Sequence, residues 1–262
     1  LAENLGTADS TATATAGVTT ASLTIDGNAT VSDIIYKGND GEEKPSSAAV
    51  IGGCLAYSKN NSTAAASVET ANTTINGGTI NGDVYAGGMA DGAGATAKVD
   101  TSNLTIKGGT INGDVYAGGY ALNEGTATVA NATVTFDGNS SFAKTVQGGN
   151  ATNSTLAFTN YDGTFDGLVT GFDHLNVADG STLKLQTLST GTADEGSKGV
   201  FNEKALTLTG AGNVEAVDVD VAAGNGLSVK DGTLAVTESL KSTEAGDGNG
   251  TKGINVSGNG VL

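Results

Sequence analysis

The chain has 262 residues, among them 41 glycines, one proline and one cysteine, and its formal net charge is −16. Glycine at this frequency without a G-X-Y period excludes collagen, and regularly spaced Val, Ile, Leu and Phe argue against disorder. All the basic residues are lysine, and this acidic, arginine-free composition argues against nucleic acid and anionic membrane surfaces as partners.

The sequence also bears on export. No apolar stretch reaches the ~18 residues that a membrane helix needs, so no membrane insertion by this chain is expected. No signal peptide is visible, and because the chain begins at Leu1 without a methionine we expect a processed or excised product whose export signal lay upstream. Cys54 has no disulfide partner within the chain and is expected to be a small buried residue.

Internal repetition dominates the first part of the chain. Residues 71–88 read ANTTINGGTINGDVYAGG and residues 102–119 read SNLTIKGGTINGDVYAGG, an offset of 31 residues (75 to 106). Weaker copies occupy 21–38, ASLTIDGNATVSDIIYKG, and 132–149, ATVTFDGNSSFAKTVQGG. Near-identical units at one period are the signature of a solenoid.

Each unit predicts short strands separated by glycine turns. An apolar-threonine-apolar pattern of period two places the first and third residues inward and the threonine outward. The predicted inward pairs are Leu23/Ile25, Thr73/Ile75, Leu104/Ile106 and Val134/Phe136, and the outward residues are Thr24, Thr74, Thr105 and Thr135. Further inward positions are Val31, Ile80, Ile111 and Phe142, and then Ile35, Val84, Val115 and Val146. The turns between them, DGN, NGG or KGG, need residues that tolerate positive φ.

One insertion interrupts the first unit. Residues 38–48, which hold Pro45 and a charge cluster, are predicted to form a surface loop, and the alternative is a loop that contacts a ligand. The motif IGGC at 51–54 then matches AGGM at 86–89 and AGGY at 117–120.

The repeats predict an all-β fold, a parallel β-helix with glycine-rich units of about 30 residues. One unit cannot bury its own apolar face, whereas stacked units can. Residues 1–186 form the repeat region, and 187–262 form a continuing or smaller solenoid section with a strand-like tail. A β-sandwich is the rival, but it favours antiparallel hairpins of varied sequence.

The units, together with GTFDGLVTGFDHLNVADGSTLKL at 163–185, resemble passenger domains of bacterial type V autotransporter adhesins. The resemblance covers residues 18–186 well and the remainder loosely. It implies a right-handed β-helix at an extracellular location, either on the surface of a Gram-negative-type bacterium or secreted. It implies no particular catalytic residues. The family's translocator barrel has no counterpart in this sequence.

Candidate chemistry is sparse. His174 is the only histidine, and beside Asp173 in a strand-like segment it is interpreted as structural. Asp83 and Asp114 recur within the repeated NGD turn, so they are expected to serve the repeat rather than glycoside hydrolysis. No EF-hand loop and no calcium-binding nonapeptide is present, and we expect no catalytic residues, metal site or cofactor.

Three tyrosines are the candidate ligand-binding residues. Tyr85 and Tyr116 share one repeat position and Tyr120 follows closely. If their rings face outward they form a strip on which a carbohydrate can stack, and if they face inward they belong to the core.

The sequence leaves three functions from different classes open. The first is a non-enzymatic adhesive or structural rod that binds a surface glycan or protein. The second is a self-assembling filament or matrix subunit that pairs end to end with copies of itself, because solenoid ends present open strand edges. The third is a β-helical polysaccharide-degrading enzyme. Lyases of this kind typically use calcium, acidic residues and an arginine or lysine base, and this function is disfavoured because the chain has no arginine.

Overall fold

The structure, a computed structural model, describes residues 2–4, 13–32, 35–37, 43–45, 47–58, 62–139, 142, 144–247, 249 and 251–262, with 2–4, 35–37 and 43–45 described by backbone alone. The described residues are all-β and contain no helix. They fall into two compact units, Leu1–Thr105 with Gly109–Val134 and Gly149–Asn153, and Ile106–Gly108 with Thr135–Gly148 and Ser154–Leu262.

The strands are short apart from one long strand per repeat. Up to residue 137 they are β1 (Ala2–Asn4), β2 (Thr13–Ile25), β3 (Thr30–Val31), β4 (Ile35–Lys37), β5 (Glu43–Pro45), β6 (Ala48–Ile51), β7 (Leu55–Ser58), β8 (Thr63–Ile75), β9 (Thr79–Ile80), β10 (Asp83–Tyr85), β11 (Met89–Asp91), β12 (Ala95–Ile106), β13 (Thr110–Ile111), β14 (Val115–Tyr116), β15 (Tyr120–Leu122) and β16 (Thr126–Asp137). After residue 137 they are β17 (Thr145–Gln147), β18 (Ala151–Thr159), β19 (Asp162–Thr164), β20 (Leu168–Thr170), β21 (His174–Val177), β22 (Thr182–Ser189), β23 (Gly199–Phe201), β24 (Leu206–Thr209), β25 (Asn213–Val221), β26 (Gly226–Val229), β27 (Thr233–Ser242) and β28 (Gly253–Val256).

In the first unit, consecutive strands join different sheets. The orders are β1-β7-β11-β15, β2-β8-β12-β16, β3-β9-β13 and β6-β10-β14. The successive strands β10, β11, β12 and β13 thus belong to four different sheets, and β14 belongs to the same sheet as β10. The pairings within these sheets are parallel, for example Val84 with Val115 and Thr79 with Thr110. Such a path is consistent with a parallel β-helix, in which each strand pairs with its counterpart one coil away.

The glycine turns let coils approach closely. Gly78 in the NGG turn has φ +90, and a Cβ there would lie 2.6 Å from the carbonyl oxygen of Ala29 in the neighbouring coil. A side chain at this position would therefore be strained in its backbone and would clash with the adjacent turn. This explains the second glycine of the NGG and KGG turns, Gly78 and Gly109, whereas the two weaker copies carry Asn28 and Asn139 at this position.

The predicted inward positions form the core. The residues buried as predicted are Ile25, Thr73, Ile75, Ile80, Val84, Leu104, Ile106, Ile111, Val115, Val134, Phe136, Phe142 and Val146. The intervening Thr74, Thr105 and Thr135 are half-buried and Thr24 is exposed, as expected of the outward face. Leu23 and Val31 depart from the prediction. Leu23 is 37% exposed on β2 and Val31 is half-buried on β3, and each of these strands ends its sheet.

The insertion changes the register of the first repeat. Ile35 was predicted to match Val84, but Val50 lies opposite Val84, and Ile35 instead pairs antiparallel with Pro45. Likewise IGGC pairs one residue away from the predicted match, because Leu55 rather than Cys54 lies opposite Met89. The β4–β5 hairpin leaves the stack, so the chain re-enters it at β6. Residues 38–42 and 46 of the predicted loop lie outside the described residues, and Ala48 already belongs to β6.

The second unit has two main sheets. Their orders are β18-β21-β24-β26-β28 and β17-β20-β23-β22-β25-β27, and β19 pairs with β22 as well. Its core contains Phe136 beside Phe158, with ring centroids 5.5 Å apart, and Phe165 packed edge-on against both. These aromatic contacts add to the free energy gained from burial of apolar area.

Coil length varies in the second unit. Hydrogen bonds between neighbouring coils join residues 19 positions apart at Ser154 and Asp173, and 33 apart at Asn176 and Thr209. The strand pattern therefore continues while the exact sequence period fades, because the segments between strands differ in length.

Candidate functional site

The three candidate tyrosines form one cluster in the first unit. Parallel pairing of β10 and β14 places Tyr85 against Tyr116, with ring centroids 4.5 Å apart and planes 4° from parallel. Tyr120 on β15 also stacks on Tyr85, at 4.6 Å and 29°. Offset stacking of this kind stabilises neighbouring coils beyond simple burial.

Burial decides what each ring can contact. Tyr85 is buried, whereas Tyr116 and Tyr120 are half-buried. Burial raises the pKa of the Tyr85 phenol well above its usual range, with a smaller contribution from the neighbouring Tyr116, and Ser47 makes a side-chain hydrogen bond with that phenol. Burial also raises the pKa of Tyr116. Tyr85 therefore belongs to the core, and only Tyr116 and Tyr120 offer surface to a ligand.

Asp83 takes part in contacts between coils. Its Oδ1 accepts a hydrogen bond of 2.8 Å from the backbone N–H of Asp114, one repeat further along the chain. This bond stabilises the NGD turn of the next coil, which is the role expected from its recurrence in the repeat.

Cys54 is buried, and its thiol lies 3.4 Å from the carbonyl oxygen of Ala66. Burial raises the pKa of this thiol. Both observations fit the small buried residue that the sequence predicts, since a raised pKa disfavours the reactive thiolate.

His174 lies half-buried on β21, between its parallel partners Thr155 and Thr207. Its neighbour Asp173 binds Lys204 through Oδ1, at 2.8 Å, and the hydroxyl of Ser154 through Oδ2, at 2.9 Å. Burial alone would raise the pKa of Asp173, but the bonds from Lys204 and Ser154 outweigh it and lower that pKa. The Asp173 carboxylate, next to the start of β21, thus links β18 to the segment between β23 and β24.

No three His, Cys, Asp or Glu side chains in the described part of the chain are arranged to hold a metal ion. No helix there is long and apolar enough to cross a membrane.

A surface groove in the second unit is the site that the sequence did not reveal. The first half of β22 pairs with β19 and its second half pairs with β23. The sheet on this side of β22 is therefore divided between two strands. At this division lies a groove of about 440 Å³, which we call the β22 groove. Its lining residues are Thr164, Phe165, Asp166, Lys184, Leu185, Gln186, Lys198, Glu215, Ala216, Val217 and Thr237.

The β22 groove offers both hydrogen-bond donors and acceptors. Lys184 and Glu215 face each other at 3.9 Å with nearly half of each side chain exposed. Asp166 and Lys198 are exposed, so each sign of charge occurs twice along the groove. This mixture suits a neutral ligand rich in hydroxyls, which can donate and accept hydrogen bonds.

One sequence signal anticipates part of this groove. Lys184 and Glu215 occupy equivalent positions on strands that pair in parallel, and their period-two patterns place both outward. The position of Asp166 and Lys198 depends on the division of the sheet, and no local pattern encodes that.

Comparison with known proteins gave no relative. No protein-family profile matches the chain, and neither the curated proteins nor the solved structures include a significant match. The resemblance to autotransporter passengers therefore stays a prediction drawn from the repeats.

Proposed function

We propose that this chain is an extracellular, non-enzymatic surface protein of a bacterium, in which a right-handed parallel β-helix with coils of about 30 residues serves as an adhesive or structural rod. The parallel sheets and the buried apolar columns of each unit support this proposal. The acidic, arginine-free composition and the single cysteine are consistent with an exported chain.

The main supporting observation is the registered polar outer surface. Asn103 donates to the side chain of Asn72 at 3.0 Å, and Asn112 donates to Asn81 at 2.9 Å. Amide pairs of this kind fix the register between coils while they keep the outer face polar. A repeated hydrated face over an apolar interior is the design expected of a rod that displays surface to its surroundings.

The β22 groove is the proposed contact for adhesion. It provides carboxylates, ammonium groups, an amide and hydroxyls along one depression of the second unit. We propose an oligosaccharide as its ligand, since hydroxyl-rich chains satisfy this mixture of donors and acceptors.

Binding of the purified chain to an array of bacterial and host glycans tests the proposal. We expect retention of a subset of glycans and release of no products. Lys198→Gln and Gln186→Ala are expected to weaken binding, while Lys230→Gln, which changes an exposed lysine outside the groove, leaves it unchanged. Cleavage of any polysaccharide that a single carboxylate substitution abolishes would contradict the proposal.

A second candidate function is a self-assembling subunit of an extracellular filament or matrix. One observation favours it, the exposure of Val18 and Leu23 on the end strand β2. Light scattering across protein concentration tests it, and a chain that stays monomeric throughout excludes it.

A further inference from the structure

One pair of uncharged side chains lies among the charged residues of the β22 groove. Gln186 on β22 is exposed, and Val217 on the neighbouring strand β25 is half-buried. The parallel pairing aligns Leu185 with Ala216 and keeps the same register two residues later, so Gln186 and Val217 lie opposite each other. Both follow a buried residue of their strand and face outward. An exposed amide and an apolar side chain thus occupy facing positions in the groove.

Val217 is exceptional on its own strand. The other residues of β25 that are not buried are Asn213, Glu215, Asp218 and Asp220, and all four are polar or charged. The part of the Val217 side chain that water reaches gains free energy when an apolar group covers it. The groove therefore offers an apolar contact that the rest of the outer face of β25 lacks.

Two irregularities of the sheet meet at this pair. On one side, β22 pairs with β19 as far as Lys184 and with β23 from Thr187, so Gln186 lies at the gap between those two strands. On the other side, the register between β25 and β27 shifts at Val217. Bulges of this kind re-aim side chains and are frequent next to functional sites. Departures from regular pairing thus shape the groove on both sides of the pair.

An acetamido group matches this pair of side chains. It consists of a methyl group, a carbonyl oxygen that accepts a hydrogen bond and an N–H that donates one. The side-chain amide of Gln186 supplies the complementary donor and acceptor, and the methyl groups of Val217 supply an apolar surface for the acetyl methyl. A hydroxyl in place of the acetamido group would leave the Val217 surface without a partner.

The charged side chains of the groove flank the pair and balance one another. Lys184 and Glu215 precede it by two residues on the same two strands, and 3.9 Å separates their charged atoms. Asp166 and Lys198 add one charge of each sign. The net charge of −16 repels acidic ligands at a distance. A neutral sugar is therefore favoured over an acidic one, and its hydroxyls can bond to the flanking charged groups.

We infer that the β22 groove selects N-acetylated amino sugars, whose acetamido group is held between Gln186 and Val217 while the ring hydroxyls bond to the flanking charged side chains. The inference rests on the glycan-binding function proposed above and deepens it by naming the class of sugar. The groove volume of about 440 Å³ lies within the range of ~300–1,000 Å³ that is typical of small-ligand sites.

The first test changes the glycan. Glycans that the purified chain retains on the array are de-N-acetylated and then re-N-acetylated, and we expect binding to fall by about tenfold in the first step and to return in the second. Free N-acetylglucosamine or N-acetylgalactosamine should displace the chain, whereas glucose and galactose at the same concentration should not. Retained glycans without N-acetyl groups, or binding that de-N-acetylation leaves unchanged, would overturn the inference.

The second test changes the pair. Val217→Thr keeps the side-chain shape but replaces a methyl group with a hydroxyl, and Gln186→Glu keeps the size but removes the N–H donor. Each variant is expected to lower the preference for N-acetylated over parent sugars by about tenfold. Val256→Thr and Gln147→Glu make the same changes outside the groove and should leave the preference intact. Circular dichroism confirms that all four variants are folded.

The outcomes separate this inference from the function on which it rests. Retention of glycans without regard to the acetamido group refutes the sugar class and leaves the glycan-binding rod in place. Retention of no glycan refutes glycan binding itself, and the inference with it. A preference for N-acetylated sugars that survives both Val217→Thr and Gln186→Glu shows that the acetamido group binds elsewhere and refutes the assignment to this pair.

Discussion

The side chain of Asn202 forms a backbone-like pair with Phe172. Its Nδ2 donates to the carbonyl oxygen of Phe172 at 2.6 Å, and its Oδ1 accepts from the N–H of Phe172 at 2.7 Å. Nδ2 also donates to the carbonyl oxygens of Lys204 and Ala205. A fully buried amide thus replaces strand pairing where one coil of the second unit turns, and it satisfies backbone groups that water does not reach.

We therefore expect Asn202→Ala to lower the free energy of unfolding by about 2–4 kcal/mol, because it leaves two buried backbone groups without partners. Urea titration followed by circular dichroism measures the loss. Asn213→Ala, at an exposed position of β25, is the control and should change stability by less than about 0.5 kcal/mol. Similar losses in both variants would show that the Phe172 pairing contributes little.

Thr73→Val is expected to stabilise the protein. The Thr73 hydroxyl is buried and has no hydrogen-bond partner among the described residues, in a column where other repeats place leucine or valine. Replacing an unsatisfied hydroxyl with a methyl group removes its desolvation cost, so we predict a gain of about 1 kcal/mol. The comparison is Thr74→Val on the outward face, which should be nearly neutral. A loss of stability in Thr73→Val would indicate that the methyl group does not fit.

Two adjacent residues of β12 should differ strongly in how much stability a charged substitution costs. Ile106 is buried and Thr105 is half-buried on the outward face. Ile106→Asp places a carboxylate in an apolar column and is expected to cost several kcal/mol, whereas Thr105→Asp should cost much less. Hydrogen exchange should show the damage mainly in neighbouring coils, because contacts in a solenoid are local. Equal losses in the two variants would contradict the inward and outward assignment.

Alkaline pH should destabilise the tyrosine cluster. Burial raises the folded-state pKa of Tyr85 above its unfolded value of about 10. The neutral phenol is favoured in the folded state, so its contribution to stability is complete below about pH 10 and is lost as the pH rises beyond that value.

Ultraviolet absorbance of the phenolate, recorded with circular dichroism, measures this effect. We expect some tyrosines to ionise only as the β signal is lost, and Tyr85→Phe to weaken the alkaline loss of stability. Ionisation of every tyrosine near pH 10 with an unchanged β signal would contradict the buried position of Tyr85.

Period-two patterns predicted the core well because inward and outward alternation is a local property of strands. They placed Ile75 and Ile106 inside without knowledge of their partners. The exceptions arise from long-range pairing. Leu23 has the inward pattern but lies on an end strand, and Val50 replaces Ile35 because a hairpin leaves the stack.

The candidate site was less predictable. The tyrosine cluster was identified from its repeat position, but the orientation of Tyr85 depends on a glycine corner that alternation does not describe. The β22 groove arises where one strand pairs with two others, at positions 162–164 and 199–201. Only the three-dimensional pairing brings Asp166 and Lys198 to the same depression.

The variable spacing between coils has a practical consequence for grafting foreign peptides. Residues joined by bonds between neighbouring coils are 19 positions apart in one place and 50 in another, yet the strands on either side pair in the same parallel manner. Gly196 lies in an excursion before β23, and its missing side chain would face open space. A foreign peptide inserted at that excursion would lengthen a segment between paired strands, and the pairing of the strands does not depend on the length of such segments. The chain is therefore suited to serve as a display scaffold.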